Sequence, residues 1–367
     1  MDWSPEVNSN PDLGQHEVLT ALQPPPKIKE LIIRRYKGAR SASWMDTSSL
    51  SRLELLQLDS CTSREELPPL WKLPCLNFLR LCKMKAIRSL GCHSSDRIDI
   101  QFPVLEELVF CDLLLWEEWN GVDDYIWFPH LKTFKISSCP KLKKIPNLPL
   151  SIETLNMQSL GLEALPRSYN YKCSNDSRTF GGFQLLMSLK SFEIYNCTGI
   201  VQIGSICEED DHLLPSSLKE LGLDNIDEHK DFASYQRANE MEHLTVLQDL
   251  NIDGAALTSL GAPKLKSLPR MPASLEELMI SRCNAKLEKH FQKNIGPDWP
   301  NINHIPHINI KTVEEDKDEF KSIAIVSAAG FAVPHYHIYI IPSTGPALVI
   351  HQKVKLLSTG PGRIFVL

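Results

Sequence analysis

Residues 131–146 read LKTFKISSCPKLKKIP, and the spacing of their apolar side chains decides the fold. Leu131, Phe134 and Ile136 stand at spacing L-x-x-L-x-L. Cys139 follows three residues later, and Leu142 and Ile145 continue the series. In a strand, side chains alternate between faces, so Phe134 and Ile136 point one way while Thr133, Lys135 and Ser137 point the other. Leu131 turns inward at the strand entrance. Cys139 turns inward at the exit, where the chain bends and backbone groups need a small polarisable neighbour. Such a segment cannot bury its apolar side alone and must stack on copies of itself.

The copies are present. The frame recurs as Ile28-Leu31-Ile33, Leu53-Leu56-Leu58-Cys61, Leu76-Leu79-Leu81 and Leu105-Leu108-Phe110 before the quoted stretch. After it come Ile152-Leu155-Met157, Leu189-Phe192-Ile194-Cys197, Leu218-Leu221-Leu223, Leu247-Leu250-Ile252 and Leu275-Leu278-Ile280-Cys283. The starts lie 25, 23, 29, 26, 21, 37, 29, 29 and 28 residues apart. Leucine-rich repeats run 20 to 29 residues with this frame. A helical protein would need apolar residues at i, i+3, i+4 and i+7 over ten or more positions, whereas here the frame stops and proline follows. The expected fold is an α/β leucine-rich repeat solenoid. A curved parallel sheet lines the concave face, ending near Ile280, and irregular loops with short helical turns form the convex face.

The chain of 367 residues carries a net charge of −6 with mixed signs throughout, which disfavours a nucleic-acid platform. Of its ten cysteines, Cys61, Cys139, Cys197 and Cys283 share one repeat position, where they are expected to stack buried and reduced, and no C-x-x-C pair occurs. The amino terminus lacks a basic and apolar signal segment, and no apolar run reaches the length of a membrane helix. A reduced cytoplasmic protein is the expectation. Residues 1–27 are read as an amino-terminal remnant or cap, 28–310 as about ten repeats, and 311–367 as a tail of no assigned role. Trp3, Val18, Leu19 and Leu22 are expected to fold over the first coil, because an uncapped coil exposes its apolar rungs.

Two clusters invite a catalytic or metal reading. Trp116-Glu117-Glu118-Trp119, with Asp123, Asp124 and Trp127, places paired acids among aromatics, as glycoside chemistry would require. Its position between strands favours tryptophans that cover the core and acids in solvent. Glu208 to His212 lacks the ligand alternation and glycine turn of a calcium loop. The histidines, among them His304, His307, His335 and His337, have no third ligand at zinc spacing. No phosphate loop or nucleophile elbow occurs, so neither a catalytic residue nor a cofactor is assigned.

The wording between repeats resembles a known family. Trp116 to Met157, and above all Cys139-Pro140-x-Leu142 through Pro146, is similar to the carboxy-terminal repeats of plant intracellular nucleotide-binding disease-resistance proteins. Glu17 to Met45 resembles the entry into those repeats. Lys289 to Ile310 resembles the segment that ends many members, with Gly296, Asp298, Trp299, Pro300, His304 and His307 matching. The resemblance implies a non-catalytic recognition module in plant defence that binds a protein, either a pathogen effector or a domain of an immune receptor. Family members place a nucleotide-binding module before the repeats. None is found here, so nucleotide binding is not carried over and a truncated form is implied.

The partner-binding residues are read from the outward positions of the frame. The early coils contribute Lys29, Arg34, Arg35, Arg80, Lys83, Lys132 and Lys135. The later ones contribute Glu193, Glu220, Asp224, Asp249 and Asp253, with Tyr195 near the change of sign. A face that runs from basic to acidic orients and selects a protein partner. The competing readings are a substrate-recognition arm of a ubiquitin ligase, which would need a helical adaptor segment ahead of the repeats, and a receptor fragment with no role of its own.

Overall fold

Alternation inside each frame leaves the backbone of every coil to pair with the next. A computed structural model describes residues 11–25, 27–38, 40–45, 50–63, 67–91, 100–120, 126–166, 168–170, 179–181, 183–197, 214–224, 243–253, 270–283 and 285–312. In chain order the strands are β1 (Glu30–Arg34), β2 (Leu55–Asp59), β3 (Phe78–Cys82), β4 (Ser89–Gly91), β5 (Ile100–Gln101) and β6 (Glu107–Cys111). They continue as β7 (Glu118–Asn120), β8 (Ile126–Trp127), β9 (Thr133–Cys139), β10 (Leu148–Pro149), β11 (Thr154–Leu160) and β12 (Ser168–Asn170). The remainder are β13 (Thr179–Gly181), β14 (Ser191–Tyr195), β15 (Glu220–Asp224), β16 (Asp249–Asp253), β17 (Glu277–Cys283) and β18 (His307–Thr312).

Eleven of these form one sheet in the order β1-β2-β3-β6-β9-β11-β14-β15-β16-β17-β18, with every neighbouring pair parallel. Register follows the frame. Leu31, Leu56, Leu79, Leu108, Phe134, Leu155 and Phe192 align across strands, as do Ile33, Leu58, Leu81, Phe110, Ile136, Met157 and Ile194. Each of these is at most 3% exposed. Burying one such side chain contributes about 1.5–3 kcal/mol, which makes the two stacked columns the main source of cohesion. The sheet does not end near Ile280. It gains β18, where Ile305, Ile308 and Ile310 repeat the frame and Ile308 and Ile310 pack against the core.

Between sheet strands the chain stays mostly irregular, with short 3-10 turns at Ser43–Met45, Leu70–Lys72 and Phe183–Leu185 and small parallel pairs β4–β7 and β5–β8. Trp116, Trp119 and Trp127 lie inside the core with Phe110, Phe128 and Phe134. Edge-on contacts bring Trp116 and Trp119 to 5.0 and 5.6 Å from the Phe110 ring. Trp116 Nε1 also donates to Glu118 O at 2.8 Å, which satisfies its polar atom inside the cluster.

The strand exits are conformationally fixed. Arg35, Ser60, Lys83, Asp112, Ser138, Ser159 and Asn196 each follow the fifth residue of a sheet strand, with φ between 51 and 59°. These non-glycine residues accept the left-handed region while their N–H groups stay bonded where it is useful: Ser60 N donates to Cys82 O at 2.9 Å and Lys83 N to Cys111 O at 2.8 Å. Just beyond, the inward cysteines meet the carbonyls as the frame predicts. Cys139 Sγ donates to Ser137 O at 3.4 Å and Cys197 Sγ to Tyr195 O at 3.4 Å. The Cys283 side chain and Trp3 lie outside the described residues. The expectation of a fully reduced chain requires correction at one pair: Cys82 and Cys111, in register on β3 and β6, are joined by a disulfide.

The first coil is covered by helix α1 (Pro11–Ala21). Leu19 is fully buried, and Trp44 Nε1 donates to Leu19 O at 2.8 Å, whereas Val18 and Leu22 face outward at 49% and 44% exposed. At the other end Gly296 comes so close to the His290 carbonyl that an added Cβ would lie 2.1 Å from its oxygen. That approach seats the buried Asp298 against His290 Nδ1 at 3.1 Å. Among the described residues no helix is long and apolar enough to cross a membrane.

Two outcomes follow. Burial pushes the Cys139 thiol up to about 12 and the Cys197 thiol up to about 11, so both stay protonated at neutral pH. A maleimide should label exposed Cys75 in the native protein long before either of them, and equal rates in a mass-spectrometric time course would contradict the stacking. Leu19→Ala should lower stability by about 2–4 kcal/mol through lost contact and cavity, read in a thermal melt.

Candidate functional site

The concave face is built from the first, third and fifth residue of each sheet strand, because the second and fourth point into the core. The first positions run Glu30, Leu55, Phe78, Glu107, Thr133, Thr154, Ser191, Glu220, Asp249, Glu277 and His307. The third run Ile32, Gln57, Arg80, Val109, Lys135, Asn156, Glu193, Gly222, Asn251, Met279 and Asn309. Neighbouring rungs are separated by the strand spacing of about 4.8 Å.

At the basic end, Arg34 and Arg80 are half-buried on the sheet, and Lys135 is exposed at a central position. Arg35 and Lys83 sit one residue past their strands, in the left-handed turn, with exposed side chains. Lys132 stands just before β9, where its Nζ pairs with Glu106 at 3.0 Å. Lys29 pairs in the same way with Glu54 at 2.7 Å. These two cations, counted at sequence level as part of a basic end, are therefore neutralised by acids one coil away. The frame identifies which face a residue is on but not its neighbour on the next coil. Apolar Ile32, Leu55, Phe78 and Val109 are half-buried on the same face as the arginines.

The later coils are different. Glu220, Asp249 and Glu277 occupy one register row on three successive strands, and among the described residues no cation pairs with any of them. Burial first, then Glu220, Glu277 and Glu276, raise the Asp249 carboxyl above its ordinary value. A depression of about 210 Å³ lies beside this row, lined by Glu193, Tyr195, Gly222, Asp249, Asn251 and Met279. Tyr195 shapes it: a Cβ on Gly222 would lie 2.4 Å from the Tyr195 hydroxyl, so glycine gives the ring its place. Asn156 Nδ2 donates to Glu193 and fixes that carboxylate from the preceding coil. Asp224 and Asp253 end β15 and β16, and their side chains lie outside the described residues. Glu277 was not singled out in the sequence, although it directly precedes Leu278 as Glu220 precedes Leu221 and Asp249 precedes Leu250.

Other clusters resolve into structural roles. Glu117 pairs with Lys141 at 2.8 Å and lies 3.9 Å from Arg88. The Lys141 hydrogen bond and charge hold its carboxyl below the usual range, so it is an exposed ion-pair member and not an acid poised to donate. Asp123, Asp124, Glu208 to His212, His335 and His337 lie outside the described residues. His304 Nε2 sits 3.0 Å from Pro272 O, a link between coils. No group of three metal-ligating side chains occurs among the described residues.

Comparison with known proteins supplies the family. A family model described as R13L1/DRL21 leucine-rich repeats matches residues 1–84. A disease resistance RPP13-like protein 1 of Arabidopsis thaliana is 30% identical over 274 residues, covering 68% of this chain and 24% of that protein. The chain carries the leucine-rich repeats of plant disease-resistance proteins. Disease resistance protein RGA2 of Solanum bulbocastanum is 25% identical over 212 residues, covering 55% of this chain and 20% of its own length. The matches thus span a quarter or less of these relatives. No solved structure matches the chain.

Within this leucine-rich repeat face, the acidic row carries a testable cost. Like charges directly opposed on adjacent strands are destabilising by a few tenths of a kcal/mol to about 1 kcal/mol. Because the folded state holds the Asp249 proton more tightly than the unfolded chain does, its ionisation weakens the fold as pH rises through the raised value. Asp249→Asn should therefore raise stability at pH 7 by roughly 0.5 kcal/mol, and the gain should fade as pH drops below the ordinary aspartate range. Denaturant titrations at several pH values would measure this.

Proposed function

We propose that this chain is a non-catalytic recognition module of a plant defence response, which binds a protein through its concave sheet in the cytoplasm. The partner is a pathogen effector or a domain of an immune receptor. The observation that carries the reading is the acidic row on β15, β16 and β17. Three carboxylates, none of them ion-paired among the described residues, are a standing electrostatic cost, and basic groups on a docked partner would relieve it. Relatives named for disease resistance support the defence setting.

The charge distribution supports two contact regions of unequal character. The later coils offer carboxylates around the Tyr195 depression. The early coils offer Arg34, Arg80 and Lys135 over an apolar floor, a combination suited to a partner surface with both acid and apolar groups. Electrostatic complementarity of this kind acts more on association rate and selectivity than on affinity.

The intact chain, used to capture proteins from plant tissue, should retain a set that is lost when Glu220 and Glu277 are both changed to Lys. The same set should survive reversal of Lys143 and Glu163, an exposed ion pair away from the sheet. Retention of every captured protein by the concave variant, with an unchanged circular dichroism spectrum, would refute the proposal.

A further inference from the structure

The described cysteines fall into two kinds. Cys61, Cys139 and Cys197 each take the inward position at a strand exit, with the thiol directed at a carbonyl. Cys82 and Cys111 instead close β3 and β6, at the exit position that carries Arg34, Asp59, Ser137, Gln158 or Tyr195 in other coils. That position belongs to the concave face. The two are register partners, with Cα atoms 4.5 Å apart. Adjacent strands hold in-register residues about 4.8 Å apart, so a bridge here requires no movement of either strand. The two residues differ in exposure: Cys82 is 1% exposed and Cys111 is half-buried.

We propose that Cys82 and Cys111 form a reversible thiol–disulfide site, exchanging with a small thiol of the glutathione class through Cys111. The site clips two neighbouring coils together on the concave face. In the reducing direction, a glutathione thiolate attacks Cys111 Sγ. The Sγ–Sγ bond breaks, its electron pair leaves on Cys82 Sγ, and that sulfur takes up a proton. A mixed disulfide remains at Cys111. A second glutathione thiolate attacks the glutathione sulfur of this mixed disulfide, releasing glutathione disulfide and the Cys111 thiolate. Two glutathione molecules are oxidised and one protein disulfide is reduced; glutathione disulfide drives the reverse. The partial access at Cys111 leaves the bond open to a small thiol, and disulfides that solvent reaches exchange more readily than sheltered ones. The bridge closes a span of 29 residues, enough to restrict the unfolded chain substantially. This inference is independent of the partner proposed above.

The test equilibrates the intact chain across glutathione to glutathione disulfide ratios, quenches with acid, alkylates and maps by mass spectrometry. Cys82 and Cys111 should lose and regain alkylation together, with a linked peptide at the oxidised extreme, while Cys139 and Cys197 remain free thiols throughout. The oxidised protein should melt several degrees higher. In Cys82→Ser, glutathione should attach to Cys111, whereas in Cys111→Ser little should attach to Cys82. A linked peptide that survives excess glutathione in the folded protein would overturn reversibility. Absence of any linked peptide under oxidising conditions would overturn the site. Equal glutathione uptake in the two serine variants would overturn entry through Cys111.

Discussion

One carbonyl oxygen per coil sets the register on which everything else depends. Lys29 O accepts from both Glu54 N and Leu55 N, at 2.8 and 2.9 Å. Glu54 O then accepts from Asn77 and Phe78, Asn77 O from Glu106 and Glu107, and the pattern continues to Gln248 O, which accepts from Glu276 and Glu277. Each coil is thus located on its predecessor before its strand begins, and the apolar rungs fall into columns as a result. At the last coil Glu276 O receives only His307 N, because Pro306 has no N–H to give. A slip by one residue would turn every rung outward, so the paired donors protect the hydrophobic columns as well as the backbone.

The same entrance carries side chains that reinforce the stacking. Lys29 with Glu54, Glu106 with Lys132 and Glu153 with Lys190 pair between successive coils. These are exposed pairs, and each is worth little in stability. Their consequence lies elsewhere, because they neutralise cations that would otherwise belong to the concave surface. Serines do a comparable task one position before the inward Ile152, Leu218 and Leu275. Ser151, Ser217 and Ser274 donate to the carbonyls of Leu131, Leu189 and Leu247 on the preceding coil, at 2.9, 2.8 and 2.7 Å.

The leucine frame made the main sheet legible, since repeats spaced 21 to 37 residues apart bury their rungs by stacking on one another. Ile305, Ile308 and Ile310 carry that frame too, but Lys289 to Ile310 reads as the segment that ends the repeats, with Ile305 and Ile308 covering the last coil, and not as an eleventh strand. What one coil presents to the next was less legible. Nothing local marks Lys132 as partnered by Glu106, or Cys82 as facing Cys111, because both relations exist only after stacking fixes the register. The acidic row could have been found by aligning the residues ahead of Leu221, Leu250 and Leu278. The frame counts Arg35 and Lys83 among the outward positions, whereas both stand one residue past their strands; their left-handed backbone is a product of the strand exit and leaves no signature in their own side chains.

The separation of inward and outward positions also governs how this surface can change over time. Outward residues touch neighbours on adjacent coils only, so a substitution two or more strands away lies about 10 Å off and has effects that add. Specificity can therefore be altered by small independent steps, each leaving the rungs beneath untouched. Cys82 and Cys111 are an exception, since either one changed alone leaves the other without its bond. Those two coils can alter this rung only as a pair.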